Sequence, residues 1–272
     1  MPEGDVLRLT AERLGAALAG KPLVRADLRW PTVAGADLVG RTVRESVAYG
    51  KHLLLRFDDG RTLHAHLRME GYWQVQRTGS REAAGRSPAV RAVLATDAWT
   101  CLGWHLGMLD LLRTRDERSL LGHLGPDVLA SDFVDGPGAA EGARRLAVDP
   151  DRTLCAALLD QRTVAGLGTI WMAESLFAER LWPWSPVGAL DDDRRRALLS
   201  TASRLVSHSV TVARRSGMRA VERRVHGRHH RPCVRCGTPI ALGSTTGPDS
   251  RPDQGAMERV VYWCPTCQRA PE

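Results

Sequence analysis

Residues 233–267 read CVRCGTPIALGSTTGPDSRPDQGAMERVVYWCPTC and determine how the C-terminal end of the chain folds. It holds two C-x-x-C pairs separated by twenty-seven residues: Cys233, Cys236, Cys264 and Cys267. Two such pairs complete a four-thiolate site of the kind that binds zinc. A disulfide is one alternative, but the acidic N-terminus predicts a cytoplasmic protein, where disulfides are rare. A redox dithiol is the other alternative, and the pairing of two C-x-x-C motifs argues against it. Four thiolates leave no position for water, so the predicted zinc ion is structural.

Upstream of the cysteines, residues 158–177 read LLDQRTVAGLGTIWMAESLF. The AGLG segment lies between two apolar runs with helical spacing, which predicts a tight turn between helices within a helix-rich region, 149–215. Backbone N–H groups at the start of a helix form a ready phosphate site. An ordinary helix-turn-helix packing element is the alternative, and the motif on its own favours it.

The N-terminal part predicts one helix followed by a β-sandwich. Seven strand-like runs follow the helix, at 22–30, 41–50, 51–59, 61–69, 71–77, 90–96 and 108–114. Asp59-Gly60 is a hairpin signal between two of them. The stretch SDFVDGPGAAEG, residues 131–142, is rich in Gly, Asp and Pro and predicts an inter-domain linker. The predicted domains are 1–130, a linker at 131–148, a helical domain at 149–226 and a zinc finger at 227–272.

Composition and charge restrict the class of protein. The chain has 272 residues, 43% hydrophobic and 25% charged, which is typical of soluble globular proteins. Acids at Glu3 and Asp5, where a signal peptide carries basic residues, predict a cytoplasmic protein. The net charge is +7, with twelve arginines and one acid over 194–235. This basic stretch indicates either a nucleic-acid partner or a solvated helix face, and charge alone does not choose.

Two further segments carry candidate chemistry. In MPEGD (1–5), removal of Met1 leaves Pro2 with a free secondary amine beside Glu3, a proton-transfer group. Chain-terminal amines ordinarily titrate at about 7.7–8, so part of such an amine is neutral and nucleophilic at pH 7. Many proteins begin with Met-Pro without any function attached to it. In HAHLRMEGYW (64–73), Met69 at a strand end is either a core residue or a wedge for a base stack.

Taken in order, MPEGD, YGKHLLL, HLRMEG, LGPDVL, LLDQ…VAGLG and the four-cysteine hairpin extend along the whole chain. The chain thereby resembles the formamidopyrimidine-DNA glycosylase / endonuclease VIII family of base-excision repair. The resemblance implies an α+β fold: a helix plus β-sandwich, then a helix–two-turn–helix domain with a four-cysteine zinc finger. It also implies a monomer that binds damaged DNA, duplex or single-stranded, in the cytoplasm at the nucleoid, and holds one structural Zn²⁺.

The resemblance assigns the catalytic roles. Pro2 attacks C1′ of the damaged nucleotide and holds the DNA as a Schiff base, while Glu3 donates a proton and opens the sugar. Lys51, in YGKHLLL, contacts phosphates and assists β-elimination. Arg259, five residues before the second cysteine pair, grips the phosphate and promotes δ-elimination. Met69 fills the space that the flipped base leaves.

The same resemblance assigns DNA contacts to Arg68, Met69, His123 and Thr169. Three positions depart from the family pattern: Val6 stands where endonuclease VIII proteins often have Glu, Thr169 where the glycine turn usually ends in Asn, and His123 where Arg often precedes LGPDVL. Threonine donates one hydrogen bond where an amide donates two. The segment 243–256 is a predicted insertion between the cysteine pairs.

Two absences favour the endonuclease VIII branch and oxidised pyrimidines as substrates. Formamidopyrimidine-type enzymes carry an Arg-x-Phe wedge after the sandwich strands and a long loop before the finger that covers the lesion. Residues 105–114 show no such wedge, and residues 216–231 are too short for a full capping loop. A catalytically weak or inactive DNA-damage-binding homologue is the alternative, which Val6 and Thr169 keep open. A zinc-ribbon RNA-binding protein would need exposed stacking aromatics, and the chain has only 5% aromatic residues.

Overall fold

A computed structural model describes residues 2–250 and 258–270. Met1, with its predicted removal, and residues 251–256 of the predicted insertion lie outside the described residues. The chain divides into two compact units, 1–123 and 124–272. Among the described residues, no helix combines the length and the apolar character that a membrane crossing requires.

The first unit opens with helix α1, Gly4–Leu18, and closes with the short helix α2, Glu117–Leu121. Between them, the described residues form eight strands, which are, in chain order, β1 Arg25–Leu28, β2 Val43–Tyr49, β3 His52–Phe57, β4 Arg61–His66, β5 Tyr72–Arg77, β6 Val90–Ala95, β7 Trp99–Trp104 and β8 Met108–Arg113. They pair antiparallel in two four-stranded sheets, ordered β2-β3-β4-β8 and β1-β6-β7-β5. The predicted helix plus β-sandwich is therefore confirmed.

Helix α1 packs against both sheets, on β2 and β3 of one and on β5 and β7 of the other. Its buried leucines join the core between the sheets with Leu55 and Leu94: Leu7, Leu14 and Leu18. The hydroxyl of Ser46 on β2 donates a hydrogen bond of 2.8 Å to the carbonyl of Ala11. The helix is thus anchored along its length, and this fixes where the N-terminal residues lie.

The sequence predicts seven of the strands and misses β7. Four consecutive residues of β7, 100–103, are buried, so the strand lacks the alternation that marks a half-exposed strand. Gly103 packs closely against a neighbouring side chain, since a Cβ there would lie 2.6 Å from Cδ1 of Leu106. The predicted Asp59-Gly60 hairpin joins β3 to β4, with Gly60 at φ +79°.

The second unit combines helices with one hairpin. Its elements in the described residues are α3 Pro137–Leu146, α4 Leu154–Leu159, α5 Thr169–Ala178, α6 Asp192–Ser216, β9 Ala241–Ser244 and β10 Val260–Trp263. Helix α5 packs against α4, α6 and β10. The glycine turn lies between α4 and α5, as predicted.

The prediction of an inter-domain linker over 131–148 is wrong, because the segment lies inside the second unit and contains α3. Pro137 occupies the first turn of this helix, where its missing N–H costs nothing, and Ala143 is buried in the helical core. The glycines of the segment serve close packing: a Cβ on Gly142 would lie 2.7 Å from Cδ1 of Leu199 on α6. Composition alone did not distinguish a tightly packed helix from a linker.

The LGPDVL segment, 124–129, belongs to the second unit and not to the predicted domain 1–130. Its backbone pairs with the glycine turn: the N–H of Ala165 donates to the carbonyl of Pro126 at 3.0 Å, and the N–H of Val128 donates to the carbonyl of Ala165 at 3.0 Å. A Cβ on Gly125 would lie 2.4 Å from the carbonyl oxygen of Thr163. Two motifs far apart in sequence therefore form one structure.

Candidate active site and metal centre

The N-terminal motif lies at the start of α1. Glu3 is the N-cap residue, 1% exposed, and its carbonyl accepts a hydrogen bond of 3.2 Å from the N–H of Leu7. Asp5 is also buried, and its carboxylate accepts from the N–H of Val6 at 2.8 Å. Pro2 is partly exposed and directly precedes this ordered end.

Lys51 lies in the turn between β2 and β3, after Gly50 at φ +56°, and is 9% exposed. Burial, together with the charges of His64, Lys51 and Arg68, lowers the pKa of His66 to about 4. Lys51 and Arg68 therefore both act on the same histidine. The structure brings these two predicted site residues into one region of the first unit.

The turn 67–71 presents Met69 outward. Arg68 has φ +51°, its N–H donates to Nδ1 of His66 at 3.0 Å, and its stem covers Gly107, where a Cβ would lie 2.4 Å from Cγ of Arg68. The N–H of Gly71 closes the turn onto the carbonyl of Leu67 at 2.9 Å. Met69 is 60% exposed, so the core alternative for this residue is wrong.

A row of three polar side chains, His52, His64 and Asp110, crosses strands β3, β4 and β8 beside Lys51. Nδ1 of His52 lies 2.9 Å from Nε2 of His64, and Nδ1 of His64 lies 3.5 Å from Oδ2 of Asp110. Burial, together with the charges of His64, His66 and His123, lowers the pKa of His52 to about 3. Burial also lowers the pKa of His64, and Asp110 partly opposes this. Both imidazoles of the row are therefore neutral at pH 7.

In the second unit, the side chain of Gln161 holds the glycine turn. Its Oε1 accepts from the N–H of Gly166 at 3.0 Å, and its Nε2 donates to the carbonyls of Leu159 and Leu167 at 3.0 and 2.9 Å. Gly166 has φ +102°. The turn delivers the chain to Thr169, the partly exposed first residue of α5, so the N–H groups of this helix start are held in place.

The four cysteines of the C-terminal hairpin converge on one point. Their sulfur atoms all lie within 4.8 Å of one another, with 4.0 Å between Cys233 and Cys267 and 3.4 Å between Cys236 and Cys264. Zinc–sulfur bonds of 2.3 Å in a tetrahedron place sulfurs about 3.8 Å apart. The cluster therefore fits one tetrahedral cation.

Arg259 lies on the same hairpin, exposed, one residue before β10. Its backbone pairs with Thr245: its N–H donates to the hydroxyl at 3.3 Å, and its carbonyl accepts from the N–H of Thr245 at 2.9 Å. The position of Arg259 is therefore tied to the hairpin that carries the cysteines.

The cysteine hairpin is joined to helix α5. The guanidinium of Arg235, between the first two cysteines, lies 4.1 Å from the ring centroid of Phe177 and donates to the carbonyls of Phe177 and Ala178. The buried carboxylate of Glu174 accepts hydrogen bonds of 2.9–3.1 Å from three successive N–H groups of residues 224–226, just before the hairpin. Metal centre and helical turn are thus parts of one packed structure.

Comparison with known proteins places this architecture in a family. The model of the formamidopyrimidine-DNA glycosylase N-terminal domain matches residues 1–120, and that of the H2TH domain of the same glycosylase matches residues 124–220. The chain belongs to the formamidopyrimidine-DNA glycosylase / endonuclease VIII family. A probable endonuclease 8 2 of Streptomyces coelicolor is 43% identical over 100% of this chain and 95% of its own length.

Other family members support the endonuclease VIII-like branch. The DNA-(apurinic or apyrimidinic site) lyase Nei2 of Mycolicibacterium smegmatis is 40% identical, over 99% of this chain and all of its own length. Among solved structures, formamidopyrimidine-DNA glycosylase of Thermus thermophilus has a TM-score of 0.76 at 28% identity, covering 99% of this chain and all of that one. The Lactococcus lactis enzyme has a TM-score of 0.81 at 20% identity, covering 98% and 100%, and shows the shared fold.

Within this family fold, the predicted site residues fall into two groups. The first unit carries Pro2, Glu3, Lys51, Arg68, Met69 and His123, and the second carries Thr169, Arg259 and the four cysteines. Sequence reasoning did not assign roles to His52, His64 and Asp110. The available signal was the concentration of three of the nine histidines within 52–66, on strands whose alternation places them on one face.

Proposed function

We propose that the protein is a bifunctional DNA glycosylase and abasic-site lyase of base-excision repair. The observation that carries this proposal is the position of Pro2, directly before the buried N-cap residue Glu3 at the start of an anchored helix. The relatives named endonuclease 8 and abasic-site lyase, similar over the whole chain, support the same activity.

The chemistry begins at Pro2. After removal of Met1, its neutral secondary amine attacks C1′ of the damaged nucleotide, the base departs, and an iminium joins the protein to the opened sugar. Glu3, held at the helix start, takes the proton that the Pro2 nitrogen loses and donates it to the sugar oxygen as the ring opens. Lys51 contacts the phosphates and assists β-elimination. Its ammonium lies at the turn between β2 and β3, and the neighbouring His52 and His66 are neutral.

The DNA contacts follow from exposure and backbone geometry. Met69, exposed at a braced turn, fills the stack when the damaged nucleotide is flipped out. Arg68 and His123 bind near it, and Thr169 with the N–H groups of the α5 start binds a phosphate. Arginines of 194–235 supply the salt-dependent part of the affinity for DNA.

Zinc is the ion that the four cysteines hold, because four thiolates at this spacing select a tetrahedral soft-ligand cation. The ion organises the hairpin and contributes no reacting group. Arg259, fixed on this hairpin, grips the phosphate after β-elimination and promotes δ-elimination. We place oxidised pyrimidines as substrates, since residues 105–114 lack an Arg-x-Phe wedge.

The test is a glycosylase assay on duplex and single-stranded oligonucleotides that carry thymine glycol, 5-hydroxyuracil, 8-oxoguanine or an abasic site. We expect excision of the oxidised pyrimidines and strand cleavage with β- and δ-products. Binding to the abasic site without cleavage of any oligonucleotide would contradict the proposal. It would instead identify a damage-binding homologue, the alternative that Val6 and Thr169 keep open.

A further inference from the structure

The polar row beside Lys51 connects three strands of one sheet. His64 on β4 is the cross-strand partner of Asp110 on β8, and its Nε2 lies 2.9 Å from Nδ1 of His52 on β3. Leu53 follows His52 on β3, Ala65 follows His64 on β4, and both face the core. Because successive side chains of a strand point to opposite faces, the row lies on the other face of the sheet. His64 is completely buried there.

The carboxylate of Asp110 sets the direction of the row, because an ionised carboxylate only accepts hydrogen bonds. Nδ1 of His64 is buried 3.5 Å from Oδ2 of Asp110 and has no hydrogen-bond partner among the described residues. A shift of a few tenths of an ångström completes that bond. His64 then carries its proton on Nδ1 and accepts at Nε2, so His52 donates from Nδ1 and keeps a lone pair on Nε2.

The two ends of the row differ in environment. The side chain of Asp110 is 39% exposed, and the Thr32 hydroxyl lies 3.3 Å from its Oδ1. The other end, His52, directly follows Lys51 and is faced by His66 and His123. The row therefore runs from solvent, through a buried imidazole, to the segment that carries the proposed phosphate-binding lysine.

We propose that Asp110, His64 and His52 form a proton relay between solvent and the Lys51 end of the site, an inference that rests on the proposed function. A proton released in the site forms a bond to Nε2 of His52. The Nδ1–H bond of His52 breaks as an Nε2–H bond forms on His64. The Nδ1–H bond of His64 breaks as Oδ2 of Asp110 takes the proton, which then passes to water.

The relay runs in both directions within one turnover. Departure of the base takes up one proton, and β-elimination releases one from C2′. Each passage reverses the tautomers of both imidazoles, and passage in the opposite direction restores them. Neutral imidazoles are needed for this, and burial, together with the charges of His64, His66 and His123, provides them by lowering the pKa of His52 to about 3.

The tautomers of His52 and His64 test the relay in a measurement that does not depend on enzymatic activity. We expect the ¹⁵N shifts of the free protein at pH 7 to show Nδ1–H on both His52 and His64. Asp110→Asn should change the tautomer of His64, since an amide also donates. An Nε2–H tautomer on His52 or His64 in the wild type would overturn the relay.

Kinetics test its role. In single-turnover cleavage of abasic-site DNA, Asp110→Asn and His64→Gln should each lower the rate at pH 7 by about tenfold or more and change the pH profile in the same way. Added imidazole should restore His52→Ala. The exposed His208→Gln is the control, with the wild-type profile. An equal loss at every pH, without imidazole rescue, would show a structural role and overturn the relay.

The two proposals fail in different ways. A wild type that forms no Schiff base contradicts the proposed function, and the relay then loses its catalytic role whatever the tautomers are. A wild type that forms the adduct, with relay variants of unchanged rate and pH profile, contradicts the relay alone.

Discussion

The side-chain oxygen of Gln161 accepts a hydrogen bond of 3.0 Å from the N–H of Gly166, five residues along the chain. The amide nitrogen of the same side chain donates to two carbonyls of the turn, so one residue satisfies three backbone groups. This explains why LLDQ and AGLG belong to one motif. The turn that leads to Thr169 is held by a side chain and not by glycine flexibility.

Substitution of Gln161 should therefore loosen the turn. Gln161→Leu loses all three hydrogen bonds and should lower the free energy of unfolding by about 1–3 kcal/mol, together with DNA affinity. Gln161→Glu keeps the acceptor for Gly166 and loses the two donors, so it should fall between Gln161→Leu and the wild type. Urea denaturation and DNA titration measure both effects. Equal behaviour of the three proteins would contradict this role.

Metal removal should act beyond the cysteine cluster. Because Arg235 lies between two cysteines and caps the end of α5, a chelator that removes the metal should increase hydrogen exchange at Phe177 and Ala178 and weaken DNA binding. Exchange in the strands of the first unit should not change. Metal analysis should give one zinc per chain. Protection at α5 that survives complete metal removal would show that the hairpin folds without the ion.

Acid should destabilise the protein through its buried histidines. The folded-state pKa of His66 is about 4, below the ordinary 6.5, so between these pH values the unfolded chain binds more protons and stability falls as the pH falls. From pH 7 to pH 5 the loss from this histidine is roughly 1 to 2 kcal/mol. His66→Gln should show a shallower decline of Tm with acid, while the exposed His208→Gln declines like the wild type. Identical declines in all three would refute this explanation.

Arg259 should separate the two eliminations. Its backbone is fixed to the hairpin through Thr245, so Arg259→Ala removes the guanidinium without disturbing the strands. We expect base excision and β-product to persist while δ-product decreases. Arg269→Ala, at an exposed arginine two residues after Cys267, serves as the control. Gel separation of the cleavage products measures both, and an unchanged δ-product would remove Arg259 from this role.

Local motifs made much of this architecture predictable. The C-x-x-C pairs predicted a convergent cluster because each turn directs its two sulfurs to one point, and the sulfurs lie within 4.8 Å. The helix start at Gly4 and the Asp59-Gly60 hairpin followed from spacing and turn chemistry. These features depend on neighbours in sequence, so the sequence alone contains them.

Features that depend on tertiary packing were not predictable. Strand β7 is buried without alternation, and the glycines of α3 serve close packing, as Gly142 does against Leu199. The contact between His64 and Asp110 joins residues forty-six positions apart through sheet register, which no local pattern encodes. Packing also decides between the two predicted roles of Met69. The residue lies exposed on the braced turn 67–71, which the sequence alone did not show.

Borohydride trapping on abasic-site DNA, followed by peptide mapping, identifies the nucleophile directly. We predict a covalent adduct whose DNA remnant is attached to the nitrogen of Pro2, with Met1 absent from the trapped peptide. A variant with a blocked N-terminus should give no adduct. An adduct at Lys51, or no adduct with any abasic-site oligonucleotide, would contradict the assignment of Pro2 as the nucleophile.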